Sequence, residues 1–386
     1  MLALQPPGRQ NVAHAPNAAG TEEIVPAVVA MLILLATFGC RAATPPAAAV
    51  PAVAADATRF PIARTPDPRE RHLTNLRQLT DGGENAEAYF SFDGRRLIFQ
   101  STRPPFECDH IFSMDLRGGA LRRLSSGKGR TTCAYEMPDG RRYLYASTHL
   151  GGDACPPKPD MSAGYTWALY ADYDIFTASF ADSTPVRLTA TPGYDAEATV
   201  SPRGDRIVFT SVRGGDLDIY TMKLDGSDVR QVTRDLGYDG GAFFSPDGTK
   251  IVWRASRPAP GTEADEYRAL LARGLIRPNR LDIYVANADG TAVQRLTDNR
   301  AANFAPFFHP SGDRVIFCSN VADPKRRNFD LWLVGLDGTG LEQVTFYEEF
   351  DGFPMWAPDG RTFVFCSNRN NSAPNETNVF LADWVD

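Results

Sequence analysis

The sequence is short of histidine and cysteine, and that shortage excludes much chemistry. It has five histidines in 386 residues: His14, His72, His110, His149 and His309. It contains no Gly-x-Ser-x-Gly elbow and no His-Glu-x-x-His pair, so neither a hydrolase nucleophile turn nor a zincin helix can be built. The six cysteines, Cys40, Cys108, Cys133, Cys155, Cys318 and Cys366, lack the paired spacing of a zinc site. Positive charge is not in excess either: 40 Lys and Arg against 47 Asp and Glu leave a net charge of −7. Nucleic acid, which binds a basic face, is therefore not expected as a partner. No block of like charge marks a solvated tail. The apolar run Ile24–Gly39 has 16 residues, broken by Pro26 and Thr37, and a membrane-spanning helix needs about 20.

What the sequence does contain is repetition. Asp195 to Thr233 reads as four short strands. Ala196–Val200 is apolar, Ser201-Pro202-Arg203-Gly204 is a turn, and Arg206–Thr210 alternates around Ile207 and Phe209. Asp218–Leu224 alternates again, Asp225-Gly226 marks a hairpin, and Val229–Thr233 closes the unit. One four-stranded sheet of this size cannot bury both faces and needs copies of itself.

Six copies are present. The glycine of the first turn recurs at Gly94, Gly140, Gly204, Gly248, Gly312 and Gly360, at intervals of 46, 64, 44, 64 and 48 residues. Third strands recur around Ile111, Ile175, Ile219, Ile283, Leu331 and Val379. Fourth strands follow only five of them, at Leu124, Leu188, Val232, Leu296 and Val344. The sixth lies at the other end of the repeat as Arg77-Gln78-Leu79-Thr80. The expectation is an all-β, six-bladed propeller with four-stranded blades over residues 73–386, closed by an N-terminal strand that completes the last blade.

Residues 1–72 differ. Ile24–Gly39 suits the core of a signal peptide, and Leu-Ala-Thr-Phe-Gly-Cys is similar to a lipobox, which makes Cys40 a candidate for lipidation. It departs from that pattern at Thr37, and Glu22 and Glu23 stand where basic residues belong. The expectation is export with residues 1–40 as the signal; a lipid anchor at Cys40 and a plain signal peptide both stay open. The Ala- and Pro-rich residues 41–72 read as a flexible tether. In an oxidising envelope one disulfide among Cys108, Cys133 and Cys155 is expected, with its pairing open. Cys318 and Cys366 occupy equivalent positions and read as small buried hydrophobes.

One face of the ring carries the variation. Seven residues before Phe92, Pro138, Pro202, Pro246, Pro310 and Pro358 of the blade-opening turns stand Asn85, Thr131, Asp195, Asp239, Asn303 and Asp351, and two further on stand Glu87, Cys133, Glu197, Gly241, Ala305 and Phe353. These place side-chain oxygens around one channel mouth. Arg103, Arg213, Arg257 and Arg369 recur after the second strands, with His149 and Val321 at that site in the other two blades. Two readings stand side by side: strand-end caps and ion pairs, or a ring that holds a ligand or a cation such as calcium. Two links on the same face are long, 149–170 in blade 2 and 257–280 in blade 4. The first carries Tyr165, Trp167 and Tyr170. In the second, Thr262 is expected to cap a short helix with Tyr267, Leu270 and Leu271 on one stripe, ended by Gly274. Long loops over a channel mouth fit a site; covering the propeller surface is the plainer alternative.

With Ser-Pro-Asp-Gly, Asp-Ile-Tyr, Asp-Gly-Ser and Leu-Thr laid out blade by blade, the chain resembles the TolB-like propeller family over about 310 of its residues. That resemblance implies an exported bacterial propeller that works mainly by binding other proteins. TolB adds an N-terminal α/β domain, where this chain has the tether. Similar blades form part of prolyl-oligopeptidase-like enzymes and of oligogalacturonate lyases, whose metal-binding histidines have no counterpart here. The expected function is a non-enzymatic, monomeric binding or scaffold module of the periplasm or cell envelope. It would take a protein or peptide partner, or a carbohydrate, on the face with the long loops, with no cofactor required. The rival is a periplasmic enzyme of lyase or hydrolase type using His149 and the ring carboxylates. It requires His149 and two carboxylates to converge in one pocket.

Overall fold

The computed structural model describes residues 53–54 and 59–386, apart from residue 163. The proposed signal, Cys40 and most of the Ala/Pro segment lie outside the described residues. Six antiparallel sheets of the predicted kind account for nearly all strands. Their innermost strands are Glu84–Phe90, Thr131–Glu136, Asp195–Val200, Asp239–Phe244, Asn303–Phe308 and Asp351–Trp356. The turn glycines after them all have φ between 64° and 76°, a conformation that other residues adopt only at a cost.

The repeat signature has a hydrogen-bonding cause. In blade 3 the Ile219 N–H donates to Thr233 Oγ1 (2.9 Å), and that hydroxyl donates to Asp218 Oδ1 (3.1 Å). The Asp-Ile and Leu-Thr pairs thus tie the third strand to the fourth, as they do again at Thr189 and Asp174 and at Thr297 and Asp282. His110 takes the Asp position in blade 1 and meets Ser125 Oγ at 3.2 Å, a structural role. Within blades, the second and third strands carry cross-strand aromatic pairs such as Phe99–Phe112, Phe209–Tyr220, Trp253–Tyr284 and Phe365–Phe380, with centroids 5.7–6.2 Å apart.

The closure is as expected. Leu73–Gln78 pairs antiparallel with Asn378–Trp384. Just beyond it, Thr80 repeats the signature across the termini: Val379 N–H donates to Thr80 Oγ1 (2.9 Å), which donates to Asn378 Oδ1 (3.0 Å).

The tether reading needs correction over residues 59–72. Ile62–Ala63 adds a fifth strand to blade 6 by pairing with Gln78 and Arg77. Glu70 is buried and accepts from both Arg369 terminal nitrogens, at 3.1 and 2.9 Å. His72 is buried too, stacked 4.8 Å from Trp384. An Ala/Pro-rich composition hid a segment that docks through a few residues. Val53–Ala54 likewise pairs with Leu121 and Ala120 at the edge of blade 1.

Candidate functional site

The outer ring of side chains at the mouth is engaged by partners in its own and neighbouring blades. Asp195, Asp239 and Asp351 are buried, and each accepts from the arginine that follows the second strand of its blade: Arg213 at 2.9 Å, Arg257 at 2.7 Å and Arg369 at 2.5 Å. Asn85 accepts from Arg103 at 2.7 Å, while Asn303 donates to Leu281 O and Asn299 Oδ1. The arginines lie over the aromatic pairs, Arg213 over Phe209 and Arg257 over Tyr284, each 5.0 Å from the ring centroid. This is the capping arrangement: the arginine–carboxylate pairs form within blades, while Asn85, Thr131 and Asn303 also donate to backbone carbonyls of the preceding blade, at Thr377, Asp109 and Leu281. Burial pushes the Asp239 carboxyl up to about 7 against the pull of Arg257, consistent with its Oδ2 being buried without a hydrogen bond.

His149 replaces arginine in blade 2 and does what arginine does elsewhere. Its ring lies 4.5 Å from Phe176, and Nδ1 meets Ser147 Oγ at 2.8 Å. It lines neither cavity at the mouth. The convergence of His149 with ring carboxylates that the enzymatic reading requires is not found. Among the described residues no three His, Cys, Asp or Glu side chains cluster as a metal would need.

The inner ring is different. Glu87, Cys133, Glu197, Gly241, Ala305 and Phe353 all have φ between 51° and 61°, and each sits at a shift in strand register, as between Ala196 and Thr199. Each is a bulge that turns one position per blade toward the axis, a side chain in five blades and the bare Gly241 in blade 4. Together they line a central cavity of about 340 Å³. Below it, Tyr89, Tyr135, Phe243 and Phe307 pack ring against ring at 5.2–6.2 Å and form an aromatic floor. Arg254 enters this ring from the second strand of blade 4, at the position that blades 5 and 6 fill with Cys318 and Cys366. It meets Glu197 Oε1 at 2.5 Å and Tyr238 Oη at 2.9 Å. Blade 4 has room for it because of Gly240 and Gly241: a Cβ on Gly241 would collide with the guanidinium. Burial raises Glu87, and it raises the Cys133 thiol well above its ordinary range. Cys133, Cys318 and Cys366 are free and buried; the disulfide joins Cys108 to Cys155.

The two long insertions meet. Trp167–Ala168 of blade 2 pairs antiparallel with Leu275–Ile276 of blade 4, forming a two-stranded sheet. The disulfide ties the first insertion to the strand 2-to-3 link of blade 1, and the Gly129 N–H donates to Asp153 O at 2.9 Å. The second insertion carries the one α-helix among the described residues, Thr262–Leu271. Gly261, not Thr262, occupies the cap position, and Thr262 is the first helical residue, with no side-chain cap. The helix buries Ala264 and Tyr267, whose hydroxyl donates to Asp216 of blade 3; Leu270 and Leu271 are only half-buried.

Trp167 therefore faces the propeller. It is 9% exposed, lies over Arg254 at 5.3 Å, packs edge-on against Tyr238 and Phe304, and donates from Nε1 to Tyr165 Oη at 3.0 Å. Of the two readings of the long loops, site or surface cover, the Trp167 indole follows the second and packs on the propeller beneath the joined insertions. Beside it a cleft of about 540 Å³ is lined by Arg130, Tyr170, Tyr173, Tyr194, Tyr238 and Glu197, among others. Cys133 and Glu197 line both this cleft and the axial cavity.

Comparison with known proteins agrees with this architecture. Residues 166–263 match the family model described as the TolB beta propeller domain. A putative TolB from Agrobacterium tumefaciens superposes with a TM-score of 0.51 at 20% identity, covering 80% of this chain and 91% of that one. TolB from Acinetobacter baumannii gives 0.52 at 17% identity, over 76% of this chain and 64% of its own length. Oligogalacturonate lyase from Vibrio parahaemolyticus gives 0.48 at 11% identity, over 80% and 93%. The chain is a six-bladed propeller that resembles the TolB type.

Proposed function

We propose that this TolB-like propeller is a non-enzymatic binding module of the cell envelope, and that a protein or peptide partner docks at the lidded mouth. The observation that carries this reading is the lid: two insertions about 100 residues apart in sequence pair over one mouth and leave an aromatic cleft beneath. The opposite face offers only tight turns such as Asp225-Gly226 and Asp337-Gly338. A recess with largely apolar walls and a few polar groups is the usual form of a binding site. The Cys108–Cys155 disulfide supports an oxidising compartment, as does the hydrophobic segment Ile24–Gly39. Among the described residues no helix is long and apolar enough to cross a membrane.

The test uses Tyr170, which lines the cleft, is half-buried and donates to Pro157 O at 2.8 Å. Tyr170→Ala should abolish capture of a partner from envelope extract, a loss of about 2 kcal/mol or more, while the melting temperature barely moves. Undiminished capture by the variant would refute the proposal.

A further inference from the structure

Arg130 stands immediately before the inner strand of blade 2 and is 4% exposed. The other buried arginines of this face are well supplied with acceptors. Arg213 bonds both oxygens of Asp195, and Arg369 bonds Glu70, Asp351 and Ser367. Arg130 is the exception. Its Nε is buried without a hydrogen-bond partner, and its nearest carboxylate, Asp109, lies 3.7 Å away, beyond hydrogen-bonding distance. Asp109 already accepts from Thr102 Oγ1 at 2.8 Å. A guanidinium carries five N–H donors in a planar fork, and leaving the buried Nε–H with only a long ion pair to Asp109 is costly. That fork lines the cleft under the lid.

The rest of the cleft completes the description of a ligand. Tyr170, Tyr173, Tyr194 and Trp167 give it flat, largely apolar walls. The joined insertions cover the cleft, with Trp167 and Ile276 of the two paired segments among its lining residues. A chain end that bears a planar anion matches a guanidinium fork, whereas an amino terminus is repelled by it. We propose that Arg130 is the anchor of a carboxylate subsite, which takes the C-terminal carboxylate of a peptide whose last residue is apolar or aromatic. The last side chain lies against Tyr173, Tyr194 and Trp167. The inference rests on the reading above, that a peptide or protein occupies the mouth.

The experiment titrates the full-length purified protein calorimetrically with N-acetyl-Gly-Phe as the free acid, as its C-terminal carboxamide, and with galacturonate. The free acid should bind at least about tenfold more tightly than the carboxamide, since the two differ only in the charged acceptor. Arg130→Lys keeps a positive charge beside Asp109 but loses the fork, and should bind acid and amide alike. Equal binding of the two forms by the unaltered protein would overturn the proposal without recourse to any variant. So would no binding of either at millimolar concentration, binding of galacturonate alone, or discrimination retained in Arg130→Lys. If both peptides fail while Tyr170→Ala still abolishes capture of an envelope partner, the carboxylate subsite falls and the lidded-mouth reading stands.

Discussion

At the scale of residues, position in the repeat decides role more than residue type does. Asp239 and Glu197 are both buried carboxylates beside an arginine. The first caps its own blade, and the second faces the axis because its backbone takes a left-handed bulge. The outer ring was legible in the sequence as a recurring position; its engagement by arginine was one of two open readings. Of the residues that line the cleft, Cys133, Trp167, Tyr170 and Glu197 were singled out, but Arg130, Tyr194 and Tyr238 were not, although a signal existed one step upstream of that ring: Glu84, Arg130, Tyr194, Tyr238, Ala302 and Phe350. Large or charged side chains at that step in blades 2, 3 and 4 lie under the lid. Trp167 gives the residue-scale prediction. Its indole is buried against Tyr238, Phe304 and Arg254, so Trp167→Ala should lower unfolding stability by about 3 kcal/mol in a denaturant titration. A stability unchanged within about 0.5 kcal/mol would show that the lid does not depend on it.

At the scale of elements, strands were readable and partnerships were only partly so. The closing strand was deducible because one fourth strand was missing and a match stood at the other terminus. The lid pairing was not, because each insertion contributes two residues and no turn connects them. Ile62–Ala63 escaped notice for the same reason: two residues inside a composition that signals a linker. Removal of residues 59–80 takes away Leu73, Leu76 and Leu79, all buried, and exposes the edge of Asn378–Trp384. The apolar burial alone is worth roughly 5 kcal/mol, and an open edge invites self-association. The truncated protein should melt several degrees lower and elute as aggregates in size-exclusion chromatography. A monomer with the parental melting curve would contradict the closure.

At the scale of the whole molecule, buried carboxyls give stability a definite dependence on pH. Burial raises Asp239 to about 7 and Asp330 to about 8, the latter helped by the nearby Asp351. Both bind a proton more readily folded than unfolded, so stability should rise as pH falls from about 9 toward neutrality. The histidines act in the opposite sense below that. Burial lowers His110 to about 4 and lowers His149 and His309 as well, so each resists protonation in the folded state, and stability is lost as pH falls below their unfolded value of about 6.5. A maximum on the acid side of neutrality is expected in a series of melting curves, with Asp239→Asn flattening the alkaline limb. A melting temperature that climbs steadily from pH 6 to pH 9 would contradict the placement of these carboxyls.

The central claim is that partners bind at the lidded mouth. Hydrogen exchange of the protein alone and of the protein bound to its envelope partner tests it most directly. Protection on binding should concentrate in residues 165–173 and 274–277 and in the segments that lead into the inner strands of blades 2 to 4. Protection confined to the opposite face, at turns such as Asp225-Gly226 and Asp337-Gly338, with the lid unchanged, would contradict the account.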